Sequence, residues 1–160
     1  FSELGDAEFI TCTGLFDDAT ETPGDYDDML GQARDMGIPM VCANPDIQVK
    51  RGDEIIYCGG ALAQSYEKMG GEVIYTGKPH DPIYRLCRAW LKEIMSYAPT
   101  NDRVLCIGDN IHTDLLGAME QDYDSLFVAN GLHQGNAKQL GELLTKHGIK
   151  TQYMLPSLLW

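Results

Sequence analysis

A chain of 160 residues with 44% apolar content has material for one hydrophobic core or two small subdomains. Its net charge of −12 excludes the basic footprint that nucleic-acid binding needs and disfavours docking on anionic membranes. No apolar run is long enough to span a bilayer and no signal-peptide pattern opens the chain, so a soluble cytoplasmic protein is expected. The five cysteines, Cys12, Cys42, Cys58, Cys87 and Cys106, fall mostly inside apolar runs and read as reduced core residues, with no Cys-x-x-Cys or His cluster to suggest zinc.

In chain order, Ala7 to Thr13 and Pro39 to Ala43 read as strands, joined by an amphipathic helix from about Tyr26 to Met36 that Gly37 closes. Asp25-Tyr26-Asp27-Asp28 reads as the solvated acidic start of that helix. A second helix runs from about Gly60 to Met69, stops at Gly70-Gly71, and leads to a strand over Glu72 to Thr76. Asp81-Pro82 opens a long helix to about Tyr97, in which Ile83, Leu86, Cys87, Trp90, Leu91 and Ile94 recur at helical spacing and should bury against a sheet. Then follow a strand over Arg103 to Ile107, a helix over Ile111 to Gln121, a strand over Ser125 to Ala129 and a helix over Ala137 to His147. This alternation predicts a parallel, doubly wound α/β sheet. The apolar tail Tyr153 to Trp160 should pack onto the core or a partner. Charge divides unevenly: residues 1–77 hold 15 Asp and Glu against 4 Lys and Arg, residues 78–160 hold 9 against 8.

Two stretches carry chemistry. Gly108-Asp109-Asn110-Ile111-His112-Thr113-Asp114 follows the apolar run Val104 to Ile107, placing two carboxylates where α/β sheets bind ligands. Such a pair suits Mg²⁺, which is held by one or two carboxylates plus waters and a substrate phosphate, although Asp and Asn also favour helix caps. Val73 to Thr76 is another short apolar run, ended by Gly77-Lys78-Pro79-His80, and a lysine at such an edge can neutralise a phosphate. All three residues follow predicted strands, so Lys78, Asp109 and Asp114 should converge at the carboxyl edge of one parallel sheet.

The order Gly-Lys-Pro-His, helix, apolar strand, Gly-Asp-Asn-x-x-Thr-Asp, Gly-Ala resembles the carboxyl-terminal half of a haloacid-dehalogenase-like hydrolase. The resemblance is to subfamily IIA, the group of nucleotide, phosphoglycolate and 4-nitrophenyl phosphatase-like proteins. It extends upstream to Cys42-Ala43-Asn44-Pro45-Asp46 and Cys58-Gly59-Gly60-Ala61-Leu62-Ala63, and runs from about Met40 to Gly131. It implies that residues 1–76 are the later part of an α/β cap and 77–160 the carboxyl-terminal part of the core. It further implies Lys78 as the lysine that steadies nucleophile and phosphate, and Asp109 as an Mg²⁺ ligand with Asp114 as a direct or water-mediated one. Asn44, Asp46, Gly60, Ala61, His80 and Asn110 become candidate substrate contacts. Asn-Pro-Asp is equally an ordinary turn, and small residues equally permit close helix packing. His80, His112 and His133 read as polar loop residues or substrate contacts, because the family's chemistry runs on carboxylates.

Such enzymes attack phosphorus with the first Asp of an Asp-x-Asp-Gly motif, which occurs nowhere in this sequence. With Phe1 standing first, the expectation is a fragment of a protein roughly twice as long, whose nucleophile and general acid lie outside these residues. The leading reading is thus part of a Mg²⁺-dependent phosphatase for a small phosphorylated metabolite such as a sugar phosphate or nucleotide. Alternatives are a non-catalytic module that keeps Mg²⁺ or phosphate binding, and a plain α/β interaction domain. A homo-oligomer stays open.

Overall fold

The computed structural model of the chain describes residues 2–129, 132–133 and 135–158. Phe1, Gly131, Leu159 and Trp160, which entered the sequence reading, lie outside the described residues. The chain divides into two units, Phe1–Gly77 and Lys78–Trp160.

In the first unit three short strands, β1 (Ile10–Cys12), β2 (Met40–Cys42) and β5 (Val73–Tyr75), form a parallel sheet in the order β1-β2-β5. Their register pairs Ile10 with Met40 and Met40 with Val73, so Cys12, Met40 and Cys42 share one face. That face is covered by α1 (Asp27–Asp35) through Leu30 and Ala33 and by α2 (Gly59–Lys68) through Leu62, Ala63 and Tyr66. On the opposite face Ile74 is exposed. A capping box of Thr22 and Asp25 precedes α1, in which Asp25 accepts the Thr22 N–H at 2.7 Å. The acidic run before α1 therefore serves as a helix start, as expected. Gly37 takes φ +71° directly after α1, a left-handed conformation that favours glycine.

One element was not foreseen, the antiparallel hairpin of β3 (Gln48–Arg51) and β4 (Glu54–Tyr57) turning at Gly52. Arg51 at its tip holds Asp18 through two bonds of 2.7 and 2.6 Å.

The second unit opens with α3 (Asp81–Met95), which ends at Ser96 in a left-handed conformation. Strands β6 (Leu105–Gly108), β7 (Asp124–Val128) and β8 (Tyr153–Leu155) form a parallel sheet in the order β6-β7-β8. A π-helical turn, Ile111–Leu115, runs into α4 (Leu116–Glu120), and α5 (Ala137–Lys146) precedes β8. Phe127 is buried under Ile111, Leu115, Leu140 and Leu144, while Tyr84 of α3 packs with Ala118, Tyr123 and Cys106. Of the apolar tail, Tyr153–Leu155 joins the sheet as a strand with Met154 against the core, while Tyr153, Leu155 and Leu158 are exposed.

The expected burial of α3 needs correction. Of its residues only Tyr84 is buried; Leu86, Cys87, Trp90 and Ile94 are exposed, Trp90 by 58% and Ile94 by 79%. The physical reason is the width of the sheet: β6 is its edge among the described residues, so the helix meets little beyond Val104, Cys106, Ala118 and Tyr123. No helix is long and apolar enough to cross a membrane among the described residues.

Close packing in the first unit rests on small residues. A Cβ on Gly60 would lie 2.0 Å from the Pro45 carbonyl oxygen, whereas Gly31 in α1 has nothing within 4 Å. Gly60→Ala should lower stability in urea denaturation by about 1–3 kcal/mol, because backbone must yield. Gly31→Ala should raise it by about 0.5–1 kcal/mol through helix propensity.

Candidate functional site

The carboxyl end of β6 delivers Gly108 and then Asp109 and Asn110 into the turn that starts the π-helical segment. Asp114, one turn further on, folds back over Gly108. Its Oδ2 accepts the N–H of Asp109 at 3.2 Å and of Asn110 at 3.1 Å, while its Oδ1 accepts from Lys78 Nζ. Only glycine permits this, since a Cβ at position 108 would lie 2.1 Å from Asp114 Cγ. Asp109 turns elsewhere, its Oδ2 accepting the Leu132 N–H at 2.7 Å and tying the loop after β6 to the loop after β7. Among the described hydrogen bonds none is made to Asp109 Oδ1.

Lys78 comes from the turn that precedes α3, across a cis Lys78–Pro79 peptide. Gly117 lets α4 approach that turn: a Cβ there would meet Pro79 Cα at 3.0 Å and Tyr84 Oη at 2.0 Å. Lys78 and Asp114 thus come together as an ion pair, but not by the expected route. Strand β5, which precedes Lys78, pairs with β2 in the first unit, so the lysine and the two carboxylates do not follow strands of one sheet. The ladder of β5 ends at Tyr75, and Thr76 and Gly77 intervene before the second unit begins at Lys78. With the lysine half exposed, the pair contributes at most about 1 kcal/mol, so its value is placement.

Of the other candidates, Asn110 and His80 belong to this second unit. Asn110 Oδ1 accepts the His112 N–H at 2.9 Å, and His80 is the residue before α3. Asn44, Asp46, Gly60 and Ala61 gather in the first unit. Asn44 Nδ2 donates to the Thr13 carbonyl at 3.4 Å, the Gly60 N–H donates to the Asp46 carbonyl at 3.0 Å, and Gly60 and Ala61 are buried at the start of α2.

A histidine cluster completes the second unit, and His147 was its unforeseen member. The His112 ring lies 4.8 Å from that of His147 and 6.4 Å from that of His133. Residues so far apart in sequence carry no local signal of their meeting. Burial, and then its histidine neighbours, lowers the pKa of His112 and of His133, the latter against an opposing pull from Asp109. Among the described residues the buried His133 Nε2 has no hydrogen-bond partner. Among the described residues no three His, Cys, Asp or Glu stand together as metal ligands. The donors present at Asp109 and Asp114 are hard carboxylate oxygens, which fit a cation that keeps most of its waters.

Residues 75–159 match the family model described as HAD-hydrolase-like. A haloacid dehalogenase-like hydrolase from Brucella suis 1330 is 35% identical, with a TM-score of 0.83 over 99% of this chain and 58% of its own. The p-nitrophenyl phosphatase from Archaeoglobus fulgidus is 21% identical, with a TM-score of 0.70 over 98% of this chain and 56% of its own. A possible sugar phosphatase of the HAD superfamily from Cytophaga hutchinsonii is 21% identical, with a TM-score of 0.76 over 96% and 53%. The last two likenesses show shared fold. The chain therefore spans a little over half the length of these structures. No curated protein matches it.

The histidine cluster generates a pH prediction. His112 and His133 have pKa values below the ordinary 6.5, so the unfolded chain takes up protons first as pH falls. Their stabilisation is present above about pH 6.5 and fades below it. The thermal midpoint by circular dichroism should drop between pH 7.5 and 5.5, and drop less in His133→Gln. An equal drop in both proteins would remove His133 from this role.

Proposed function

The chain belongs to the HAD-hydrolase-like family, and from that premise we propose that it is the carboxyl-terminal part of a Mg²⁺-dependent phosphatase acting on a small phosphomonoester. Residues 1–76 are assigned to a cap and 77–160 to the catalytic core. The observation that carries this reading is the linkage of Lys78, Asp114 and the Asp109 loop through one carboxylate. The substrate is assigned as a sugar phosphate or nucleotide, and the possible sugar phosphatase among the similar structures favours the former.

Lys78 supplies a positive charge for a phosphate, and Asp114 orients that lysine while holding the amides of Asp109 and Asn110. Asp109, whose Oδ1 takes no described hydrogen bond, is the residue assigned to hold Mg²⁺ directly. Asp114, engaged by Lys78 and two amides, suits contact through a water. When bound, Mg²⁺ would offset charge on the transferring phosphoryl group. Asn44, Asp46, Gly60 and Ala61 are assigned to the cap, with Asn44 and Asp46 as substrate contacts and Gly60 and Ala61 as packing that shapes their loop. The missing Asp-x-Asp-Gly favours a second reading for the isolated chain, a module that binds Mg²⁺ and phosphate without turnover.

Isothermal titration should give weak Mg²⁺ binding to the chain, weaker still in Asp109→Asn. Identical binding in the two proteins would take Asp109 out of its assigned role.

Turnover by the 160-residue chain should stay near background in a phosphate-release assay with 4-nitrophenyl phosphate and Mg²⁺. General acid and base catalysis alone contributes about 10² to 10⁴ in rate, and no residue here is assigned to it. Release that Lys78→Ala abolishes would point instead to a nucleophile within these residues, with Asp25 and Asp27 the first positions to test.

A further inference from the structure

Cys12 ends β1 and Cys42 ends β2, and the register sets the two directly opposite one another across the parallel pair. Both side chains lie on the face covered by α1 and α2, where Cys12 is 5% exposed and Cys42 0%. Both are free thiols. Neighbouring strands run about 4.8 Å apart, inside the span of roughly 4.4 to 6.8 Å between Cα atoms that a disulfide bridges. The thiols are also hydrogen-bond partners, and the contact makes them unlike. Cys42 as donor lowers the pKa of Cys12, whereas the neighbouring Cys12, and then burial, raise that of Cys42. Cys106, by contrast, stands opposite Ser125 in its own sheet.

We propose that Cys12 and Cys42 are a peroxide-sensitive thiol pair, closing to a disulfide that locks the carboxyl ends of β1 and β2. The Cys12 thiolate attacks one oxygen of hydrogen peroxide, the O–O bond breaks, and the departing hydroxide takes up the thiol proton and leaves as water. Cys12 is then a sulfenic acid. The Cys42 sulfur displaces hydroxide from it, and that hydroxide leaves as water with the Cys42 proton. Two thiols and one hydrogen peroxide thus give one disulfide and two waters. Burial selects the oxidant, because a water-sized peroxide can reach a site from which a bulky disulfide such as oxidised glutathione is excluded.

The lock acts on the turn that follows. Cys42 leads directly into Ala43-Asn44-Pro45-Asp46, and Cys12 into Thr13. The Ala43 N–H donates to the Cys12 carbonyl at 2.9 Å, and Asn44 Nδ2 to the Thr13 carbonyl at 3.4 Å. Disulfide-linked Cβ atoms stand about 3.8 Å apart, so closure draws the strand ends together by about 1 Å and holds the turn to Thr13. An effect on substrate contact by Asn44 and Asp46 rests on the phosphatase reading; the thiol pair stands on the register alone.

Hydrogen peroxide treatment of the folded 160-residue chain carrying Cys87→Ser, which removes the exposed thiol, tests the proposal. Peptide mass spectrometry after alkylation should find the Cys12 and Cys42 peptides joined with loss of two hydrogens, Cys58 and Cys106 still alkylated, and all thiols restored by dithiothreitol. Exchange at the amides of Ala43, Asn44 and Asp46 should slow about tenfold in the oxidised chain. In Cys42→Ala the reaction should stop at the Cys12 sulfenic acid, which dimedone traps. Oxidised glutathione in place of peroxide should leave both thiols free. Cys12 and Cys42 still alkylated once Cys106 is oxidised, Cys12 joined to Cys58, or a link that forms only in urea would overturn it. These outcomes are read on the chain with both thiols present, so they decide the matter even where Cys42→Ala does not fold. The Mg²⁺ titration of Asp109 concerns the other unit, so the thiol pair and the phosphatase reading can fail independently.

Discussion

The carboxylate of Asp114 is the interaction on which the candidate site depends. It receives two backbone amides from the loop after β6 and the ammonium of Lys78 from the turn before α3. Segments 36 residues apart are thereby fixed by one side chain. The arrangement also sorts the charges: Asp114 is occupied with placement, whereas Asp109 keeps an oxygen that no described hydrogen bond takes up. One lysine and two carboxylates leave a local excess of one negative charge. A divalent cation would reverse it, turning a locus that repels phosphate into one that attracts it. Gly108 is the condition for all of this, and Gly117 the condition for Lys78 to arrive.

Most of this fold was legible from periodicity and punctuation. Gly37 and the Gly70-Gly71 pair mark helix ends, Asp81-Pro82 a helix start, and apolar runs the strands, all within three residues of where they stand. The hairpin escaped because Gln48-Val49-Lys50-Arg51 offers one apolar residue in four, too weak an alternation to separate from a loop. The helical stripe of α3 was read correctly as a pattern but not as burial. Periodicity reports which side of a helix is apolar, and says nothing of whether a partner lies against it. In the same way the Gly-Lys-Pro and Gly-Asp motifs announced chemistry, while the sheet each strand joins depends on long-range pairing that no local signal carries.

The first unit shows why small residues in a motif are ambiguous. Cβ atoms at Gly60 and Gly77 would strike the backbone of Pro45 and of Ala43 at 2.0 and 2.4 Å, so the Asn44-Pro45-Asp46 turn is enclosed by one glycine at the start of α2 and another in the loop after β5. That packing fixes where Asn44 and Asp46 sit. A glycine buried in this way can govern ligand contact without making any, which reconciles the packing reading with the contact reading of the same motif.

Charge distribution adds a final constraint. The first unit holds 15 acidic residues against 4 basic ones, which taken as a bulk field would oppose any phosphorylated ligand. Salt screens exposed charges beyond about 10 Å, so at any ligand the groups directly beside it outweigh a bulk field. At the candidate site those groups are Lys78, the carboxylates of Asp109 and Asp114, and any cation these would hold. Acidity of the chain as a whole is therefore compatible with an anionic substrate, provided that the local balance is set by the Lys78–Asp114 pair.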